Sequence, residues 1–125
     1  AGLGPGFRLA VCGADRAIVV AVSDPSSLRD AQRVVTQLSQ LETIHLVVNR
    51  VRPRLLRRQN TTIDDAMDTA GLPLLGLVPE DPKVVLAATE GRPLAQLGAR
   101  RGAVRAYENI ARRLTGQPVP LMGLR

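Results

Sequence analysis

At 125 residues the chain is expected to form one domain or part of one. Its net charge of +6 comes almost wholly from arginine, Lys83 being the sole lysine, so acidic partners are permitted but none is specified. Aromatics at 2% exclude a stacking platform for nucleic-acid bases, and the single cysteine excludes an internal disulfide or a CxxC site.

The chain opens at Ala1 without an initiator Met, which leads us to expect a fragment. Ala1 to Gly6 reads as loop, and Phe7 to Ala14 as a short helix ending near Gly13. Arg16 to Val22 is an apolar strand. Ser23-Asp24-Pro25 then starts a helix, with Asp as N-cap and Pro at the first helical position. Leu28, Ala31, Val34, Val35, Leu38 and Leu41 follow at helical spacing.

Ile44 to Val48 is the second strand, ending in the polar pair Asn49-Arg50. Val51 to Asn60 reads as a basic loop. Thr62 caps a further helix whose apolar stripe is Ile63, Ala66, Met67 and Ala70, and Gly71 closes it. Leu74 to Val78 is a strand buried on both faces, with Pro79 stopping its ladder for want of an N–H. Asp81-Pro82 starts a helix to about Thr89, and Glu90 to Pro93 is a turn. After Gly98 comes a last helix with Ala103, Ala106, Tyr107, Ile110 and Leu114 inward. An extended tail begins at Pro118.

Strands alternating with helices define the class: α/β, half of a doubly wound, mainly parallel sheet. The expected division is one α/β part over residues 1–117 and an extended tail over 118–125. In such sheets ligands sit beyond the carboxyl ends of strands, where Asn49-Arg50 and Pro79-Glu80-Asp81 lie. Cys12 is expected to be a small buried hydrophobe and His45 a structural strand residue. No apolar run approaches the ~18 residues of a membrane span.

Several segments, in order, resemble the MinD branch of the ParA/MinD family of deviant Walker A P-loop ATPases. They are Ala1 to Phe7, Ser26-Ser27-Leu28-Arg29-Asp30, Leu46 to Pro53, Leu75 to Asp81, Gly91-Arg92-Pro93 and Tyr107 to Leu114. The resemblance covers essentially the whole chain but only the carboxyl-terminal half of a family member.

It implies an ATP/ADP and Mg²⁺ site completed by a missing half. No G-x-x-x-x-G-K-[ST] occurs in the chain, and of the family's D-x-P-A-G switch only Ala1-Gly2 remains. The chain alone is therefore expected not to hydrolyse ATP, nor to bind it tightly, and no catalytic or metal-binding residue is assigned to it. The resemblance assigns Asn49 to the adenine edge, Arg50 beside the base, and Pro79, Glu80 and Asp81 to the segment closing over it. Asp81 doubles as an N-cap, and that is expected to be its main role.

The resemblance also puts Asp24 near the ribose and a dimer interface, with capping as its rival role. Arg29 and Asp30, with Ala1 and Gly2, match the switch, dimer and partner surface, the rival for the pair being a solvated helical ion pair. Gly4 departs from the family's usual Glu. The implied partners are a second copy and MinC- and MinE-like regulators, in a cytoplasmic protein peripheral to the inner membrane face. Membrane contact is expected only if an anchor lies beyond Arg125. The scattered arginines are expected to be solvated surface. The alternatives are a ParA-like partitioning or flagellar-number ATPase that uses those arginines on DNA, and a stand-alone, non-enzymatic interaction domain.

Overall fold

The computed structural model describes residues 2–58, 62–97 and 100–121. The expectations placed on Ala1, Asn60, Gly98 and the tail over 122–125 lie outside these residues. Three strands, β1 (Arg16–Ala21), β2 (Thr43–Val51) and β3 (Leu74–Pro79), form one parallel sheet in the order β1-β2-β3. The α/β expectation holds.

The connections follow from local chemistry. The helix α1 (Pro5–Cys12) starts two residues earlier than expected, because Pro5 sits at its first position after Gly4. In α2 (Pro25–Thr36) the Asp24 carboxylate accepts from the Ser27 N–H at 3.0 Å. This helix stops at Thr36 rather than running to Leu41. Leu38 still reaches the core, through turns in which its N–H bonds Val35 and its carbonyl accepts from Leu41.

The expected basic loop after β2 is instead the last residue of the strand, Val51, followed by a one-and-a-half-turn helix, α3 (Pro53–Arg58), with Leu56 buried. In α4 (Ile63–Ala70) Thr62 and Asp65 form a reciprocal capping box, and Gly71 closes the helix at φ 69°. Pro79 does not end the ladder: the next residue, Glu80, donates its N–H to the Val51 carbonyl at 3.0 Å. Then come α5 (Pro82–Glu90), a 3₁₀ turn at Leu94–Gln96 and α6 (Gly102–Leu114).

Each face of the sheet has its own core. On one, Val19, Ala21, Leu46, Val48 and Leu77 pack against Leu28 and Ala31 of α2 and Ala66 and Ala70 of α4, with Phe7 and Val11 of α1 alongside. On the other, Val47, Leu75 and Val78 meet Ala103, Ala106 and Ile110 of α6. Leu46 and Val48 are fully buried, each contributing about 1.5–3 kcal/mol by leaving water. The second face is covered over β3 but not over β1, where Ile18 and Val20 are 41% and 60% exposed.

Three burial expectations are corrected. Cys12 is exposed. It stands about 100° around α1 from the inward-facing Val11. Tyr107 and Leu114 are 45% and 39% exposed, while Val104 takes a buried place that the α6 pattern did not assign it. His45 is half-buried in β2, as expected of a strand residue.

The capping box sets one pH dependence. Hydrogen bonds from the Thr62 backbone N–H (2.6 Å) and hydroxyl (2.8 Å) hold the Asp65 carboxyl below the usual aspartate range. A depressed folded-state value adds stability that is complete above the unfolded value, ~3.9, and lost as pH falls through the lower folded one. Asp65→Asn should therefore lower the urea midpoint at pH 7, and the gap from wild type should narrow below about pH 4. A gap independent of pH would refute this reading of the cap.

A candidate nucleotide-base cleft at the strand ends

Because the strands are parallel, their carboxyl ends share one rim, and there the predicted residues converge. Asn49, Arg50, Pro79, Glu80 and Asp81 all line one cleft of about 350 Å³, with Val78, Val84, Val85 and Tyr107 completing its walls. Val84, Val85 and Tyr107 were not predicted. The spacing in α6 predicts an inward Tyr107, and nothing in the α5 sequence singles out Val84 or Val85.

Asp81, itself in the cleft lining, ties the loop to two helices. One carboxylate oxygen accepts from the Lys83 N–H at 3.0 Å, capping α5. The other accepts from the Ala103 N–H at 3.1 Å, at the start of α6. The neighbouring Gly102 has φ 55°, and a Cβ there would lie 2.5 Å from Asp81 Oδ2. Both oxygens are thus committed to helix ends, in keeping with capping as the main role of Asp81.

Glu80 faces two guanidinium groups. Arg52 donates to both of its oxygens, from Nε and from Nη2 (2.6 Å), and Arg50 Nη2 donates at 3.2 Å. The Arg52 hydrogen bond holds the Glu80 carboxyl below the usual glutamate range, and the Arg52 guanidinium is raised in turn. Arg52, two residues from Arg50, carries no sequence signal that singles it out as a partner of Glu80.

Asp24 sits in an adjoining cleft of about 250 Å³ whose lining includes Arg50, Arg52 and Leu55. Arg50 therefore borders both spaces. Arg29 and Asp30 are not brought to this rim: both are exposed on α2, and Asp30 pairs with Arg33 at 3.6 Å rather than with Arg29. Gly2 precedes α1 with φ 82° and joins neither cleft.

Chemically the larger cleft suits a flat heteroaromatic ring. Valine, proline and tyrosine surfaces supply apolar walls, and the Asn49 amide can donate and accept at once. No family model matches the chain. It is 42% identical to the septum site-determining protein MinD of Bacillus subtilis (strain 168), over 99% of this chain and 47% of that protein. It superposes on MinD in the MinC:MinD cell division protein complex of Aquifex aeolicus with a TM-score of 0.89 and 33% identity, covering 98% of this chain and 51% of that one. The chain is MinD-like.

The septum site-determining protein MinD complexed with Mg-ADP from Pyrococcus horikoshii OT3 is also similar, at 26% identity and a TM-score of 0.78, over 93% of this chain and 47% of that one. The chain spans about half the length of the MinD relatives it matches. Its three parallel strands and flanking helices are those of a MinD-type P-loop fold.

Proposed function

We propose that this chain is the carboxyl-terminal half of a MinD-like ATPase acting in division-site placement, and that it supplies the adenine side of the ATP site. One observation carries the reading. Asn49-Arg50 and Pro79-Glu80-Asp81, far apart in sequence, line one cleft of suitable size and polarity in a chain similar to MinD. The Mg-ADP held by the Pyrococcus horikoshii protein supports nucleotide and Mg²⁺ as ligands of the complete protein.

In this reading the Asn49 amide pairs with the adenine edge. Val84, Val85 and Tyr107 exclude water from the ring. Asp81 keeps the Pro79–Asp81 loop rigid by tying it to two helices. Phosphoryl transfer requires a lysine-bearing loop whose backbone N–H groups wrap the phosphates, and no G-x-x-x-x-G-K-[ST] loop occurs in this sequence. This chain alone therefore does not turn over ATP.

The MinC partner of the Aquifex aeolicus protein supports a MinC-like regulator, and Asp24, Arg29, Asp30 and Gly2 are assigned to the surface for it and for a second copy. The complete protein would work in the cytoplasm, against the inner membrane face.

The test is calorimetry of ATP binding to this chain and to a longer polypeptide that adds a P-loop half. Only the longer one should bind. Asn49→Ala should weaken its affinity about tenfold, the cost of roughly one lost hydrogen bond to the base. Unchanged affinity in Asn49→Ala would remove the base from this cleft.

A further inference from the structure

The strand β2 leaves regular geometry at one place, and it is the place that faces the cleft. Val48 pairs with Leu77 and Val51 with Pro79, so three steps along β2 oppose two along β3. The surplus residue falls at Asn49-Arg50, and Arg50 has φ 52°, the one left-handed non-glycine residue among those described. A bulge of this kind re-aims the neighbouring side chains and is common beside binding sites. An L-residue does not adopt that backbone unaided, so something nearby must hold it.

Glu80 is the group placed to do so. Its N–H bonds the carbonyl of Val51, just past the bulge. Its carboxylate takes a two-pronged bond from Arg52 and a third bond from Arg50 itself. The Arg50 side chain is turned onto Glu80, and Glu80 stays anionic because Arg52 favours its charged form.

We infer that Glu80 is a positioning residue: by gripping Arg50 and Arg52 it holds the β2 bulge in its left-handed form, which presents Asn49 to the cleft. Arg50 then serves through its backbone, not as a side-chain contact to the base. The inference deepens the base-site reading and rests on it for its functional consequence, while its structural half can be tested without nucleotide.

The structural readout is the Arg50 N–H to Hα coupling and Cα shift, measured by NMR on this chain. Glu80→Ala should move Arg50 out of the left-handed region, and Arg52→Gln should do so in part. An Arg50 that stays left-handed in Glu80→Ala overturns the inference. The functional readout is ADP affinity in the P-loop-containing polypeptide.

Glu80→Ala should weaken ADP about tenfold, and adding Arg50→Gly, which adopts positive φ without help, should regain most of it. Loss of tenfold or more from Arg50→Gly alone would mean that the Arg50 side chain touches the ligand, and would also overturn the inference. If Asn49→Ala leaves ADP affinity intact while the NMR result holds, the base-site reading fails and the clamp survives as a structural device.

Discussion

Asp81→Ala should destabilise the chain by about 2 kcal/mol, roughly twice the ~1 kcal/mol typical of a lost N-cap. The reason is that one carboxylate serves two helices. Its oxygens accept separately from Lys83 N–H in the first turn of α5 and Ala103 N–H in the first turn of α6. The alanine variant strands both donors. Asp81→Asn keeps a single acceptor oxygen and should lose about half as much. Gly102→Ala should repeat the damage from the other side, since its φ of 55° disfavours an L-residue and the added methyl would press on Asp81 Oδ2. Urea denaturation followed by circular dichroism measures all three. Wild-type stability in Asp81→Asn would show that only one of the two bonds matters.

Gly76→Ala should cost about 1–3 kcal/mol by overpacking. A Cβ at Gly76 would lie far inside van der Waals contact with Ile110 Cγ1, and 2.9 Å from its Cδ1. Ile110 cannot easily turn aside, because a β-branched residue within a helix has one strongly preferred rotamer. The glycine is there because β3 carries an extra residue at this point: Leu46 pairs with Leu74 and Val47 with Gly76. That puts Leu75 and position 76 together on the α6 side, and only one of them has room for a side chain. Ile110→Ala alone should be costly too, but the double variant should lose less than the sum of the two singles. Strict additivity in the double-mutant cycle would show that the two positions do not touch.

These two sites mark the boundary of what the sequence discloses. Caps and stops are local chemistry, so Asp24-Pro25, Thr62, Gly71, Asp81-Pro82 and Gly91 could be placed from neighbouring residues alone. The convergence of Asn49-Arg50 with Pro79-Glu80-Asp81 was legible because the two strands are parallel neighbours and so end on the same rim. The α3 helix was hidden by its shortness: six residues, half of them arginine, show no period. The second bond of Asp81 was hidden by distance, its donor lying 22 residues away. Tyr107 is exposed because it lines the open cleft, which no spacing within α6 encodes. The two bulges arise only when strands are laid side by side, so neither Arg50 nor Gly76 announces itself in the run of residues around it.

The placement of α1 carries a topological consequence. It lies on the same sheet face as α2 and α4, through Phe7 and Val11. Crossovers between parallel strands are right-handed almost without exception, which is why the β1–α2–β2 and β2–α4–β3 units advance across the sheet in one direction with their helices on one side. The same handedness fixes the direction for any strand feeding into α1: it would fall outward of β1, on the open flank where Ile18 and Val20 stand uncovered. The chirality of a single short helix thus points the sheet's growth toward the flank that most needs covering.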